Sequence, residues 1–177
     1  MEIKEFQTKI GTLIWLMVST RPDILFVVIK LAKHAKNPDS MHFQALKRVF
    51  GYLAGTKHLA FAFRSSNDDN QHLTGYCDAD WAGPHSEKGL STSGFVFMMA
   101  GGPISWTSKK QSCVALSTTE SEYIAEALAT QEAIWLRQLL TEIGIDGSLK
   151  KPINIYYGTT DATTDGYSPR TRSGPSY

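Results

Sequence analysis

The hydrophobic period of this chain changes near residue 70, and that change restricts the architectures open to it. Before it, apolar residues recur at helical spacing: Ile24, Val27, Val28, Leu31 and Ala32, then Phe43, Leu46, Val49, Phe50 and Leu53. After it, short alternating and apolar runs follow one another, broken by glycine-rich turns. Residues 65–72 (SSNDDNQH) between the two regimes are wholly polar and predict a loop or a domain boundary. A helical segment followed by an α/β domain is the arrangement this pattern allows.

In the helical part, Ile14, Leu16, Met17 and Val18 lead into Ser19-Thr20-Arg21-Pro22-Asp23. Ser19 or Thr20 can cap a helix that begins near Pro22, because proline fits a first helical turn. Asn37-Pro38-Asp39-Ser40 breaks the pattern and supplies the next cap, and Gly55 is expected to stop the helix that follows. Leu59 to Phe63 alternates enough to predict a short strand. Lys30, Lys33, Lys36, Lys47, Arg48 and Lys57 lie mostly off the apolar faces. Contact with phosphates and a solvated helix face are both open to them, and the solvated face is the commoner use of such charges.

Beyond residue 72, Leu73 to Asp80, Thr92 to Met99 and Ile104 to Ser108 predict three strands, with Gly101-Gly102-Pro103 turning the chain between the last two. They form an antiparallel meander. A long helix is predicted from about Ser117 to Ile143, opened by the capping box Ser117-Thr118-Thr119-Glu120 and closed by Gly144 and Gly147. Pro152 to Tyr157 is a fourth strand. Three strands, a helix and a strand in that order imply a mixed sheet of α/β type with a right-handed crossover. From Gly158 onward the chain is rich in Thr, Ser and Gly without a period, and a disordered tail is expected over 158–177.

Composition narrows the function classes only broadly. The chain has 177 residues, 42% of them apolar and 20% charged, which excludes collagen-like, mucin-like and wholly disordered chains and leaves material for a core. The net charge of +1 is uninformative. Residues 1–70 carry ten Lys/Arg against six Asp/Glu, and the remainder eight against eleven. A basic binding segment joined to a carboxylate-bearing one fits that split, and so does ordinary fluctuation. Cys77 and Cys113 make neither a disulfide framework nor a zinc site, and the five histidines lack metal-ligand spacing. The most apolar stretch, Ile10 to Val18, is far short of the roughly 20 residues that span a bilayer. With no apolar signal core at the start, an intracellular protein, cytoplasmic or nuclear and without a membrane partner, is expected.

Asp78 and Asp80 stand two apart on a predicted strand and so share a face. Two carboxylates near a strand end suit Mg²⁺, a hard cation that takes oxygen ligands, but many surface strands also end in paired acids. In the long helix, Glu120 at the third position is used by the cap. Glu122 and Glu126 share a face, which continues into Ala125, Ala129, Ala133 and Leu136. Small alanines let a helix lie close on a sheet, which points Glu122 toward the strand carboxylates. The competing reading makes Glu122 and Glu126 solvated helix acids.

Several ordered motifs are more specific. Ile10-Gly11-Thr12-Leu13-Ile14-Trp15-Leu16, Thr20-Arg21-Pro22-Asp23-Ile24 and the run from Ala45 to Thr56 resemble the end of the reverse transcriptase region of copia-type retrotransposon Pol polyproteins. Gly75-Tyr76-Cys77-Asp78-Ala79-Asp80-Trp81-Ala82-Gly83, Ser91-Thr92-Ser93-Gly94, the run from Ile104 to Gln111 and the run from Ala115 to Ala125 resemble the ribonuclease H domain that follows it. The resemblance covers about residues 8–157. It implies a helical thumb- or connection-like segment over 1–64 and an incomplete ribonuclease H-like domain over 71–157. The activity it implies is hydrolysis of the RNA strand of an RNA–DNA hybrid with two Mg²⁺ ions. Asp78 and Glu122 then match metal-binding catalytic residues, Asp80 takes a secondary metal role, and Lys47, Arg48, Lys57, Lys109 and Lys110 are candidates for nucleic-acid contact.

One position departs from the pattern. After the fourth strand the family has Asp-Asn, whereas Gly158-Thr159-Thr160 stand here. A reading-frame shift or truncation just after Tyr157 would account for this and for the missing last elements of the domain. Two carboxylates hold two Mg²⁺ ions poorly, so nuclease activity is expected to be abolished or very weak. A non-catalytic nucleic-acid-binding remnant, or an inert transposon relic, is the alternative. Nothing in the chain resembles a polymerase palm, so DNA synthesis is not expected.

Overall fold

The computed structural model describes residues 3–63, 72–82, 89–145 and 152–157, together with the backbone of 170–172. The chain divides into two compact units, Met1–Phe61 and Ala62–Tyr177.

The first unit is helical, with α1 (Ile3–Ser19), a 3-10 turn (Pro22–Ile24), α2 (Leu25–Ala32) and α3 (Ser40–Gly55). Phe6, Ile10, Leu13 and Met17 recur at one side of α1 and bury against Ile24, Val28, Leu31, Leu46 and Val49. Phe6 meets Phe43 edge to face, with ring centroids 5.0 Å apart. The apolar run that marks the end of α1 is divided between environments: Met17 is buried, whereas Ile14 and Val18 are exposed.

The helix boundaries differ from expectation in three places. Ser19 does not cap the next helix; its hydroxyl donates back to Trp15 O at 2.7 Å and so belongs to the end of α1. Arg21 holds the cap position of the 3-10 turn without a side-chain cap bond. Gly55 is the last residue of α3 and Thr56 caps it, the Thr56 amide donating to Leu53 O and Tyr52 O. The Asp39 cap is as read: its carboxylate accepts from the His42 amide at 3.0 Å, and His42 Nδ1 accepts from the Asp39 amide at 3.1 Å, closing a capping box. Leu59–Phe63 is not a strand, because among the described residues no backbone pairs with it.

The second unit is a mixed α/β layer. Its sheet runs β3 (Gly102–Lys110), β2 (Thr92–Met99), β1 (Thr74–Asp80), β4 (Asn154–Tyr157), β5 (Arg170–Arg172). β1–β2 and β2–β3 are antiparallel and β1–β4 is parallel, as the connection through α4 (Thr118–Glu142) requires. The expected tail lies outside the described residues except for β5, which pairs antiparallel with β4. The turn between β2 and β3 sits one residue earlier than expected. Ala100 (φ 53°) and Gly101 (φ 81°) are its two left-handed residues, while Gly102 and Pro103 already belong to β3. The register shifts at Phe97/Met98, leaving Ile104 as the extra residue of a bulge.

One face of this sheet is covered by α4. Leu73, Cys77 and Phe97 bury against Ala129, Ala133, Leu136 and Leu140. Gly75 pairs with Phe97, whose ring lies over it: a Cβ at Gly75 would stand 2.6 Å from Phe97 Cε1. The backbone approach to that ring is what requires glycine here.

Candidate functional site

Pleating divides the residues of β1 between two faces. Leu73, Gly75 and Cys77 point to α4, whereas Tyr76, Asp78 and Asp80 are exposed on the opposite face. The register extends that face across the strands. Tyr76 pairs with Val96 and Tyr156, Asp78 with Gly94, and Asp80 with Thr92, which pairs in turn with Lys110. The Tyr76 and Tyr156 rings stack with centroids 5.3 Å apart. A shallow groove of about 340 Å³ lies toward the other end of β1, against Thr74, Tyr76, Val96 and Met98, and no carboxylate lines it.

The Asp78 carboxylate accepts from the amide of Ala79 at 2.8 Å, which fixes one oxygen against its own backbone. Glu122 enters from the first turns of α4. The buried stripe of that helix is Ser121, Ala125, Ala129, Ala133, Leu136 and Leu140, so Glu122 and Glu126 flank it, half-buried, rather than lying on its centre line. Burial raises the Glu122 carboxyl above its ordinary value, and the charge of Asp78 adds to the rise. Cys77, beneath them, records the same field. Burial first, then the charges of Glu126, Asp78 and Glu122, push its thiol up to about 11.

The start of α4 also holds a correction. Ser117 Oγ accepts from the Glu120 amide at 3.1 Å, as a cap should. Glu120 reaches back one residue further than a capping box requires, to the Leu116 amide at 2.6 Å. It is used structurally all the same, which leaves Glu122 as the acid of that turn nearest the sheet.

The fold thus brings Asp78 and Glu122 within each other's field. Asp80 stays exposed two residues on, beside Thr92. Among the described residues no group of three or more His, Cys, Asp or Glu side chains is placed to hold a metal ion. Two carboxylates fit one hydrated Mg²⁺, which commonly keeps several waters and binds through one or two carboxylates; they do not fit a two-ion centre. The basic candidates are divided between the two units. Lys47 and Arg48 on α3 and Lys57 after it are exposed in the first unit, and Lys109 and Lys110 are exposed at the end of β3.

Four buried polar residues beneath the carboxylates were not among the sequence candidates: Ser91, Ser93, Gln111 and Ser121. Gln111 Nε2 donates to Ser93 Oγ at 2.9 Å and to Ser121 O at 2.8 Å, and its amide donates to Ser91 O at 2.9 Å. Ser91 Oγ accepts from the Ala82 amide at 3.2 Å, and Trp81 Nε1 donates to Ala115 O at 3.1 Å. The period-two pattern carried a signal for two of them. Ser91 and Ser93 are in phase with Phe95 and Phe97, so their position on the covered face follows from alternation.

Comparison with known proteins places the chain in a family. It is 47% identical over 131 residues to the secreted RxLR effector protein 161 of Plasmopara viticola, covering 74% of this chain and 90% of that protein. It is 43% identical over 140 residues to the retrovirus-related Pol polyprotein from transposon TNT 1-94 of Nicotiana tabacum, covering 79% of this chain and 10% of the polyprotein. A match of 40% over 159 residues to the Pol polyprotein from transposon RE1 of Arabidopsis thaliana covers 90% of this chain and 10% of that one. The chain belongs to the copia-type retrotransposon Pol family and corresponds to a fragment of such polyproteins. It spans about a tenth of the length of these two polyproteins. No family model and no solved structure matches it.

Proposed function

We propose that the second unit is a ribonuclease H-like domain whose ancestral reaction is Mg²⁺-dependent hydrolysis of RNA in RNA–DNA hybrids, and that this chain performs it very weakly or not at all. The observation that carries this reading is that Glu122, in the first turns of the helix packed on the sheet, lies within the electrostatic reach of Asp78 on the central strand. In the same reading Asp78 and Glu122 are the metal-binding residues and Asp80 has a secondary role. Mg²⁺ bound there would supply positive charge for phosphate oxygens and a water of lowered pKa. The residues themselves contribute two oxygens on a rigid strand and helix, one of them already held by the Ala79 amide.

Impairment is supported by Gly158, which stands in sequence where the resemblance expects an aspartate. A second reading, a binding module or inert relic without catalysis, is favoured by the same residue. The exposed Lys47, Arg48 and Lys57 of a thumb-like helical unit, with Lys109 and Lys110, would then carry phosphate contacts. The relative from Plasmopara viticola, matched over 90% of its length, also supports the persistence of this segment outside a long polyprotein.

The deciding experiment is cleavage of a labelled RNA–DNA hybrid in Mg²⁺ or Mn²⁺, with Asp78→Asn as control. Cleavage that disappears in the variant supports the enzyme. Hybrid binding by the folded chain that weakens steeply with salt, without cleavage, supports the binding module. Neither binding nor cleavage leaves the relic.

A further inference from the structure

The buried polar cluster beneath the carboxylates has an unusual member. Gln111 is 5% exposed, follows the last residue of β3, and bridges β2 to α4 by hydrogen bonds where the rest of their contact is apolar. Its Nε2 spans from Ser93 Oγ on β2 (2.9 Å) to Ser121 O on α4 (2.8 Å). Each end of the bridge lies beside a neighbour of one of the two acids. Ser93 pairs across the ladder with Ala79, the residue between Asp78 and Asp80. Ser121 immediately precedes Glu122. The Gln111 amide also donates to Ser91 O, so the end of β3, the start of β2 and the first turn of α4 meet at this residue.

Packing alone does not explain a glutamine here. Its Oε1 is buried without a hydrogen-bond partner among the described residues, a cost that an apolar residue of the same length would avoid. What an apolar residue cannot supply is the directional bond to Ser121 O. We infer that Gln111 is the positioning residue of the carboxylate pair: bridging Ser93 to Ser121 fixes where Glu122 stands relative to Asp78. The inference rests on the ribonuclease H-like reading of those two acids. It adds a residue that touches neither metal nor substrate and acts through the elements that do.

The test compares the full chain with Gln111→Met, Ser93→Ala and Asp78→Asn. Three quantities are read: the thermal midpoint, hydrogen exchange of the Ser121 and Glu122 amides, and affinity for Mn²⁺ as a metal probe. Gln111→Met should keep its fold, speed exchange at those amides about tenfold or more, and weaken Mn²⁺ binding about tenfold, the lower end for outer-shell changes. Ser93→Ala, which removes one bond only, should move both in the same direction by less, and it decides the matter if Gln111→Met does not fold. A lowered midpoint with unchanged exchange and Mn²⁺ affinity would make Gln111 a packing residue and overturn the inference. Equal Mn²⁺ binding by the wild-type chain and Asp78→Asn would instead remove the ribonuclease H-like reading. Exchange at Ser121 and Glu122 then decides the bridge by itself, and unchanged exchange overturns it.

Discussion

Tyr52 donates its phenol hydroxyl to Asp23 Oδ2 at 2.9 Å, and the same oxygen accepts from Arg21 Nη2 at 2.7 Å. Arg21 Nη2 also donates to Thr56 Oγ1 at 2.7 Å, and the guanidinium lies over the Tyr52 ring, 5.6 Å from its centroid. The Thr20-Arg21-Pro22-Asp23-Ile24 motif thereby acquires a structural role. It fastens the turn after α1 to the end of α3. Because Arg21 is largely covered and its guanidinium bonds both Asp23 and Thr56, Lys cannot replace it at both ends.

The bonds from Arg21 first, and then from Tyr52, hold the Asp23 carboxyl below its ordinary value against a desolvation that works the other way. A carboxyl with a lowered folded-state value stabilises the fold above the ordinary carboxylate range. That contribution is lost as pH falls through the lowered value. Arg21→Met should therefore cost up to about 1 kcal/mol at neutral pH, the upper end for partly exposed pairs. The difference from wild type should shrink as the solution is acidified below the carboxylate range. Chemical denaturation at several pH values measures it; a cost independent of pH would assign the effect to packing.

Glu122 has the opposite sign. Its folded-state value is raised, first by burial and then by Asp78, so ionising it works against the fold. Stability from this group falls as pH rises from the ordinary carboxylate range through the raised value. Glu122→Gln should leave the chain slightly more stable at neutral pH and equal to wild type well below the carboxylate range. Stability gained by removing an acid marks a position kept for something other than folding. A loss of stability at neutral pH would contradict this assignment.

The two thiols should separate by reactivity. Cys77 is buried and its thiol is pushed up to about 11, whereas Cys113 is exposed. A thiol reagent at mildly alkaline pH should modify one cysteine rapidly and the second only on unfolding, because the thiolate is the reacting species. Rapid labelling of both in the native chain would mean that the α4 face of the sheet opens readily.

Gly75→Ala should destabilise the second unit by about 1–3 kcal/mol, the usual cost of overpacking, since its Cβ would press on the buried Phe97 ring. Phe97→Leu in the same chain should recover part of the loss. Thermal unfolding of the two single variants and the double variant gives the coupling directly.

How much of this was legible depends on how local the cause was. β2 is bounded as its alternation predicts, and Asp39 and Ser117 cap their helices because a short acceptor before an apolar-periodic run has few other uses. That Asp78 and Asp80 share one exposed face follows from strand alternation. Leu59–Phe63 has strand-like alternation, but a strand needs a partner, and alternation does not supply one. β5 lies in Thr- and Ser-rich sequence where nothing announces pairing. In the sequence Gln111 is only the end of a motif. Its meaning depends on Ser93 and Ser121, residues 18 and 10 positions away, which only the closed sheet and helix bring together.

β3 stands last in the strand order, next to β2 only. Along it, Pro103 lacks an amide hydrogen, Ile104 interrupts the register, and Lys109 and Lys110 place two charges at the far end. A second chain docking there would meet a ladder with a missing rung, a kink and mutual repulsion within one short length. Edge-to-edge pairing is therefore disfavoured on that side by the backbone and by the charges along it.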